Sequence, residues 1–333
     1  MKMFPAYLLT VGITAACLAF ATPAVAIAIP PLASDTVYVS DVANGQILKF
    51  SGAGSSPSVF ADFSANFGTP YGLTTDSVGN LYAVISYTDG DPDFNFAGAE
   101  IRKFSPSGAS SIFADSGDGL GENSLGLAYA GSQLYVSNGN EILRINAGGV
   151  GSVFASGGQL DDARGLATDS AGNVYVADLI GSEILKYTSA GSGSIFASGG
   201  SLFASGGPLE YPLGLAVDGS GNVFASGFIA DEIIKFTSGG VGAVFADDGD
   251  GLSANAGLAF DSAGNLLVAE QADERISSIT PGGVRTLYGS SAGSGPFFIA
   301  VSPVPEPGTA VLGGLAALGF LAAARKRRAA KSG

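Results

Sequence analysis

The first question about this 333-residue chain is which of its side chains could do chemistry. It contains no histidine and a single cysteine, Cys17. Without histidine there is no general base of the serine- or cysteine-hydrolase kind and no imidazole metal ligand. Residues 289–293 match the Gly-x-Ser-x-Gly pattern of a nucleophilic serine, but in a Gly/Ser-rich stretch without histidine the match is a coincidence. Carboxylates and amides are the groups that remain.

One acidic segment has the ligand spacing of a calcium loop. Positions 1, 3, 5, 7 and 12 of the segment 89–100 carry side-chain oxygens: Asp89, Asp91, Asp93, Asn95 and Glu100. This spacing resembles that of the EF-hand loop, in which hard oxygen donors surround one Ca²⁺ ion. The segment departs from the EF-hand in having Phe94 where the loop needs glycine, and no helical pattern flanks it. It is predicted either to bind calcium or to form a solvated acidic loop.

A second polar set occupies one position of a repeated segment. Six equivalent strands each end at this position. Four of them end with a polar residue, namely Asp41, Asn138, Asp178 and Glu270, and the other two end with Ile85 and Gly227. If the copies form a ring, these ends meet at one rim of its channel. The set then resembles the Glu, Asn and Asp ligands with which lactonase propellers hold calcium. The other interpretation is that each Asp caps the turn after its strand.

The copies themselves define the fold. Asp-x-x-Gly-Asn and a short apolar strand occur at 76–84, 169–178, 218–226 and 261–269. In this turn we expect the Asp to accept a hydrogen bond from the backbone two residues on, and the Gly to supply a positive φ. A Gly-Leu-Ala-like strand precedes each turn and two more strands follow each copy. Four short strands in a period of about 42 residues are typical of a propeller blade.

The two ends of the repeat region complete each other. Residues 35–63 supply three strands without an opening strand, and 296–302 supplies an opening strand with nothing after it. We therefore predict an all-β, six-bladed β-propeller over 35–302, closed by the last strand joining the first blade. Five or seven blades are the alternatives.

The repeated residues resemble a known family. Asp-x-x-Gly-Asn-[Leu/Val]-Tyr-Val-Ala-Asp, followed by Ile-x-Lys-[Phe/Tyr], is similar to the NHL repeat. The resemblance implies four-stranded propeller blades without implying one activity, because the fold hosts lyases, lactonases and binding modules. Lyases of this kind rely on histidines, so the resemblance disfavours lyase activity here.

The charge of the chain is strongly acidic. There are 29 Asp and Glu against 15 Lys and Arg, and five of the basic residues lie between Arg325 and Lys331, so the rest of the chain is more acidic still. Such a surface repels phosphate backbones and attracts cations. We predict no nucleic-acid partner.

The N-terminal segment has the three regions of a secretory signal. Met-Lys-Met precedes an apolar run from Leu8 to Phe20, and Ala24-Val-Ala26 is a small-residue cleavage site. We predict a signal peptide over 1–26, removed by signal peptidase, and a linker over 27–34; an uncleaved membrane anchor is the alternative. The mature chain then has no thiol, which suits oxidising export.

The C-terminal segment, 303–333, has three parts. A Pro-Glu-Pro motif (Pro305, Glu306, Pro307) precedes an apolar run over 310–324 and then a basic cluster: Arg325, Lys326, Arg327 and Arg328. The run predicts a short transmembrane helix with the cluster on the cytoplasmic side. The tail resembles the PEP-CTERM sorting signal, which implies a Gram-negative product handled by an exosortase and sent to the outer surface or the extracellular polysaccharide matrix. A permanent inner-membrane anchor is the alternative.

Three functional hypotheses follow. The first is an exported cell-surface or matrix propeller that acts as a binding or scaffold module for extracellular polysaccharide or another surface protein, with aromatic platforms at Tyr87, Phe94 and Phe96. The second is a calcium-dependent, lactonase-like hydrolase that uses the channel-rim residues. The third is a spacer in the matrix. Calcium is the one cofactor that the sequence suggests.

Overall fold

A computed structural model describes residues 35–87, 98–198, 211–228 and 231–302 of the chain. These residues form six antiparallel sheets of four strands each, and each sheet is one blade of a ring. From the innermost strand outwards, blade I consists of β24 (Pro296–Ser302), β1 (Thr36–Asp41), β2 (Gln46–Phe50) and β3 (Ser58–Asp62). The prediction of an all-β, six-bladed propeller is confirmed.

The other five blades each use four consecutive strands. Blade II has β4 (Gly68–Thr75), β5 (Leu81–Tyr87), β6 (Gly98–Phe104) and β7 (Ser110–Ala114), and blade III has β8 (Ser124–Ala130), β9 (Gln133–Asn138), β10 (Glu141–Ile145) and β11 (Gly151–Ser156). Blade IV has β12 (Ala163–Thr168), β13 (Val174–Asp178), β14 (Glu183–Tyr187) and β15 (Gly193–Ser198). Blade V has β16 (Pro212–Val217), β17 (Val223–Gly227), β18 (Glu232–Phe236) and β19 (Gly242–Ala246). Blade VI has β20 (Asn255–Phe260), β21 (Leu266–Glu270), β22 (Arg275–Ile279) and β23 (Arg285–Ser290). Short 3₁₀ turns at Ser64–Asn66, Ser116–Asp118 and Asp248–Asp250 follow β3, β7 and β19.

The ring closes as the repeat predicts. The last strand, β24, pairs antiparallel with β1, with Thr36 opposite Ser302 and Val39 opposite Ile299. The loop before β24 is tied to blade I, because the backbone N–H of Gly295 donates to Asp41 (2.9 Å) and the side chain of Asn44 donates to the carbonyl of Gly293 (2.7 Å). Closure pairs the inner edge of β1, which would otherwise be open, and ties the two ends of the ring together.

The core lies between the blades. Six clusters of buried apolar side chains alternate with the six sheets, one between each pair of neighbours. The second strand of each blade is covered on both faces, and in β13 all five residues are buried. That is why its sequence, Val-Tyr-Val-Ala-Asp, is apolar at consecutive positions and does not alternate.

The turns between the first and second strands behave as the sequence predicts. In blade IV, Asp169 Oδ1 accepts from the backbone N–H groups of Ala171 (3.0 Å) and Asn173 (2.9 Å), and Oδ2 accepts from the Asn173 side chain (2.7 Å). Gly172 has a φ of 78°. The same hydrogen bonds recur at the equivalent residues of three other blades, Asp76, Asp218 and Asp261. We call these four turns the Asx turns.

Asp169→Ala is expected to lower the free energy of unfolding by about 1 kcal/mol at neutral pH, because four hydrogen bonds to the carboxylate are lost, three from the turn itself and one from the Tyr175 hydroxyl (3.2 Å). Burial by itself would raise the pKa of Asp169, but the hydrogen bonds from Asn173 and Ala171 outweigh it and lower that pKa. A lowered folded-state pKa gives stability that is present above the ordinary Asp value and is lost as the pH falls through the folded value. Urea unfolding of both chains at pH 7 and at pH 3 should therefore show a smaller difference at pH 3, and an equal or larger one would contradict the interpretation.

The two ends of the ring carry different turns, loops and side chains. We call the end that carries the Asx turns the base, and the opposite end, with the turns between second and third strands and the loops between blades, the mouth face. At the base end the channel opens into a cavity of about 290 Å³ lined by the ends of all six inner strands, with no charged side chain among its lining residues. Third-strand basic residues lie near the base over aromatic rings, for example Lys186 Nζ at 5.0 Å from the Tyr175 ring centroid.

Candidate functional site at the mouth face

The mouth face gathers, from each blade, one residue at or near the end of the second strand and one at or near the start of the third strand. These residues stand directly opposite each other in the register of each blade. The pairs are Asp41 and Gln46, Ile85 and Glu100, Asn138 and Glu141, Asp178 and Glu183, Gly227 and Glu232, and Glu270 and Arg275. Four of the six blades present a polar pair at this position, blades II and V each present one glutamate, and these residues are the candidate site.

Asp178 joins two parts of the mouth face. Its Oδ2 accepts from the backbone N–H of Asp161 (2.8 Å), and its Oδ1 accepts from those of Asp162 (3.2 Å) and Gly181 (3.1 Å). Asp161 and Asp162 lie in the loop that leads into blade IV, whereas Gly181 lies in the turn after the strand. The carboxylate therefore caps that turn and fixes the loop beside it.

Asp41 does the same in blade I. It accepts from Asn44 through both the backbone N–H (3.2 Å) and the side chain (2.7 Å), and from the Gly295 N–H on the other side. It is 1% exposed, and Asp178 is fully buried. These contacts match the turn-capping interpretation of the sequence pattern.

Asn138 uses both ends of its amide. The oxygen accepts from the Ser124 hydroxyl (2.9 Å) and the Gly121 N–H (3.2 Å). The nitrogen donates to Glu141 (2.8 Å) and to the carbonyl of Gly119 (3.3 Å). The side chain holds the loop between blades II and III against the second strand of blade III.

Glu270 lies at the centre of a buried ionic cluster in blade VI. Its Oε2 is 2.9 Å from Arg275 Nη2, and its Oε1 is 2.7 Å from Arg285 Nη2. The Ser277 hydroxyl donates a short hydrogen bond to the same carboxylate. Glu270 is fully buried, so two guanidinium groups neutralise a carboxylate that no solvent reaches.

The four channel-rim residues are thus each engaged within their own blade or with the loop beside it. Among the residues that the structure describes, no group of three or more His, Cys, Asp or Glu side chains is placed to hold a metal ion. A calcium-dependent hydrolase needs such a group of ligands around one ion. The lactonase-like hypothesis gains no support from this geometry.

Of the five predicted calcium ligands, only Glu100 lies in the described residues. Its Oε1 accepts from the Tyr87 hydroxyl (2.6 Å) and from Arg102 Nε (2.6 Å). Burial, and then the hydrogen bond to the Glu100 carboxylate, raise the pKa of Tyr87 to about 12. Asp89, Asp91, Asp93 and Asn95 lie outside the described residues, as do the predicted platforms Phe94 and Phe96. The calcium prediction therefore stays a prediction.

Two carboxylates of the third strands are held close to other acids. Burial, and then the charges of Asp178 and Asp161, raise the pKa of Glu183. Burial, and then Asp247 and Asp248, raise the pKa of Glu232, whose buried Oε2 has no hydrogen-bond partner. Like charges that crowd together in this way make the mouth face strongly electronegative.

Sequence reasoning missed two exposed aromatic residues at the mouth face. Phe67 and Tyr211 each precede an inner strand, in blades II and V, and are 50% and 44% exposed. Their φ values of 53° and 56° place both in the left-handed region, which bulky residues rarely adopt. Backbone strain of this kind persists where the surrounding structure enforces it and is frequent at ligand sites. The signal in the sequence was an aromatic residue directly before the opening Gly or Pro of a blade.

Comparison with known proteins identifies the segment that follows the last strand. Residues 303–328 match the PEP-CTERM protein-sorting motif. The chain is therefore an exported propeller, sorted to the cell envelope and processed by an exosortase. The sorting residues Pro305–Pro307 and Arg325–Arg328, like the signal cleavage residues Ala24 and Ala26, lie outside the described residues. Within the described part of the chain no helix is long and apolar enough to cross a membrane.

Solved structures share the fold. A chain in the nidogen/laminin complex has a TM-score of 0.65 at 15% identity, covering 80% of this chain and 98% of that one. A streptogramin B lyase has a TM-score of 0.50 at 15% identity, covering 78% and 74%. A catalytically inactive virginiamycin B lyase from Staphylococcus aureus with quinupristin has a TM-score of 0.51 at 15% identity, covering 73% and 72%. At this identity the likeness shows the propeller fold alone. No curated protein sequence matches the chain.

Proposed function

We propose that this protein is a binding or scaffold module of the outer surface or extracellular matrix of a Gram-negative bacterium, and that it binds extracellular polysaccharide through its mouth face. The observation that carries the proposal is the PEP-CTERM motif, which begins at residue 303, directly after the strand that closes the ring at Ser302. Signal peptidase and exosortase act on its two ends during export. Another surface protein is the alternative ligand.

The mouth face has the composition of a carbohydrate-binding surface. Phe67 and Tyr211 offer exposed ring faces, and Phe228, 36% exposed, lies beside Tyr211 because its N–H donates to the Tyr211 carbonyl (3.2 Å). Amphipathic rings among polar groups bind ligands that are apolar on one face and hydrogen-bonding at their edges. Polar side chains surround these rings at every blade.

Sorting is tested in a Gram-negative host that has an exosortase. Replacing Pro305, Glu306 and Pro307 together by Ala should retain the chain, at its full length, in the inner-membrane fraction. The unaltered chain and a Val304→Ala control should both appear in the surface or matrix fraction. Equal distribution of all three chains would refute exosortase-dependent sorting.

Binding is tested by titrating the purified protein with matrix polysaccharide from the same host. Phe67→Asn with Tyr211→Asn should weaken binding about tenfold or more, because buried aromatic anchors dominate such interfaces. Asn tolerates the left-handed conformation, so the loops keep their course. Val241→Ala, which removes a 68% exposed side chain elsewhere on the ring, should leave binding unchanged. An unchanged affinity of the double Asn variant would reject the mouth face as the binding surface.

A further inference from the structure

We infer that the ring stands with its base toward the membrane that its own C-terminal segment enters, so that the mouth face points outward. The inference rests on the proposed function in one respect, because it takes residues 303–333 as the segment that tethers the ring until the exosortase acts on it. It goes beyond that function by assigning the membrane surface to one end of the ring.

Both ends of the described chain lie at the base. Strand β24 runs from the mouth face, where Pro296 is opposite Asp41, to the base, where Ser302 is opposite Thr36. The carbonyl of Val301 accepts from the Thr75 hydroxyl (2.8 Å), next to the Asx turn of blade II. On the other side, Asp35 accepts from the N–H of Ser262 (2.6 Å) in the Asx turn of blade VI.

The tether from the ring to the apolar run is short. Residues 303–309 separate the end of β24 from the run that begins at Ala310. Seven residues span at most about 25 Å when fully extended. A strand of the ring plus its turns is about as long, so the tether cannot pass around the ring and bring the mouth face to the membrane.

The distribution of charge between the two ends of the ring favours the same orientation as the short tether. The base has five carboxylates and five basic residues in the described chain: Asp35, Asp76, Asp169, Asp218 and Asp261 with Lys49, Lys103, Arg144, Lys186 and Lys235. The other nineteen described carboxylates lie at the strand ends and in the turns and loops of the mouth face, against four arginines, an excess of fifteen negative charges. Each of those four arginines already binds a carboxylate.

This division favours one orientation. An anionic lipid surface repels the mouth face, whereas it has no net interaction of that kind with the charge-balanced base. Tether and electrostatics therefore act together.

The test places a fluorophore on each end of one blade in the full chain. Ser170→Cys labels the Asx turn of blade IV at the base, and Ile180→Cys labels the turn after the second strand of the same blade at the mouth face; both positions are exposed. Cys17→Ser in both chains leaves one thiol each. The chains are reconstituted in phosphatidylethanolamine–phosphatidylglycerol vesicles that carry a headgroup acceptor dye of short transfer distance.

Energy transfer from position 170 should exceed that from position 180 about threefold, because about 20 Å of strand and turn separates them along the ring axis. Added salt should reduce the ratio without inverting it, since the tether remains. Equal or inverted transfer in chains that float with the vesicles would overturn the orientation and leave the sorting proposal intact. Chains that do not float with the vesicles would overturn both.

Discussion

Gly165→Ala is expected to lower the free energy of unfolding by about 2 kcal/mol or more, although it adds one methyl group. Gly165 lies on the inner strand of blade IV, where a Cβ would overlap the carbonyl oxygen of Leu213 on the inner strand of blade V. The obstacle is backbone, so no side chain can rotate away. The blades must separate to admit the methyl group, and the inter-blade core loses contacts as they do.

The matched control is Gly219→Ala in the Asx turn of blade V. No atom lies within 4 Å of a Cβ built at Gly219, and its φ is not in the left-handed region. The other three Asx turns have Ser at this position: Ser77, Ser170 and Ser262. Gly219→Ala should therefore stabilise the chain by about 0.5 kcal/mol, because alanine lowers the conformational entropy of the unfolded state. Urea unfolding of both variants measures the change in the free energy of unfolding. If Gly165→Ala destabilised the chain no more than Gly219→Ala, neighbouring blades could separate to admit a methyl group without loss of stability.

The inner-strand glycines show which features of the fold a repeat pattern predicts and which it does not. Gly72, Gly126, Gly165, Gly214 and Gly257 mark the start of five blades in the sequence, and all five meet the backbone of the next inner strand. Spacing alone gave the number of blades and the closing strand, because a ring must match an unpaired start to an unpaired end. The close approach of neighbouring strands is a tertiary contact, so the sequence pattern could not reveal it. In blade I the equivalent residue is Phe298, which packs in the core between blades I and II.

The sequence predicted where the candidate site lies but not which partners its side chains contact. Equivalent positions placed Asp41, Asn138, Asp178 and Glu270 at one end of the ring. Their partners come from loops and strands at variable distances along the chain: Gly295 is 254 residues from Asp41, and Arg285 is 15 residues from Glu270. A periodic pattern has no information about such contacts. The left-handed aromatics were missed because backbone conformation at a blade-to-blade loop depends on the strands that the loop joins.

The ionic cluster of blade VI gives the largest predicted effect of a single side chain. Glu270→Ala is expected to lower the free energy of unfolding by about 3 kcal/mol, since it leaves Arg275 and Arg285 without their shared carboxylate. Their side chains are 28% and 20% exposed, so solvent compensates them in part and the cost stays at the lower end for a buried pair. Arg285 Nε and the side-chain amide of the neighbouring Asn255 already have no hydrogen-bond partner among the described residues. Arg275 also pairs with the partly exposed Asp273, so the loss of the Glu270 carboxylate falls mainly on Arg285.

The control for this prediction is Asp162→Ala, which breaks the 2.7 Å pair with Arg164. There the side chains are 29% and 17% exposed and the arginine can turn to solvent, so the expected loss is below about 1 kcal/mol. Glu270→Gln should fall between the two, because it keeps the shape and one acceptor oxygen but removes the charge. Urea unfolding followed by far-ultraviolet circular dichroism ranks the three variants. If Glu270→Ala lowered the free energy of unfolding no more than Asp162→Ala, burial would not make the blade VI cluster more stabilising than a partly exposed ion pair. Glu270 and Arg275 would then be as available to bind a ligand as the polar pairs of the other blades.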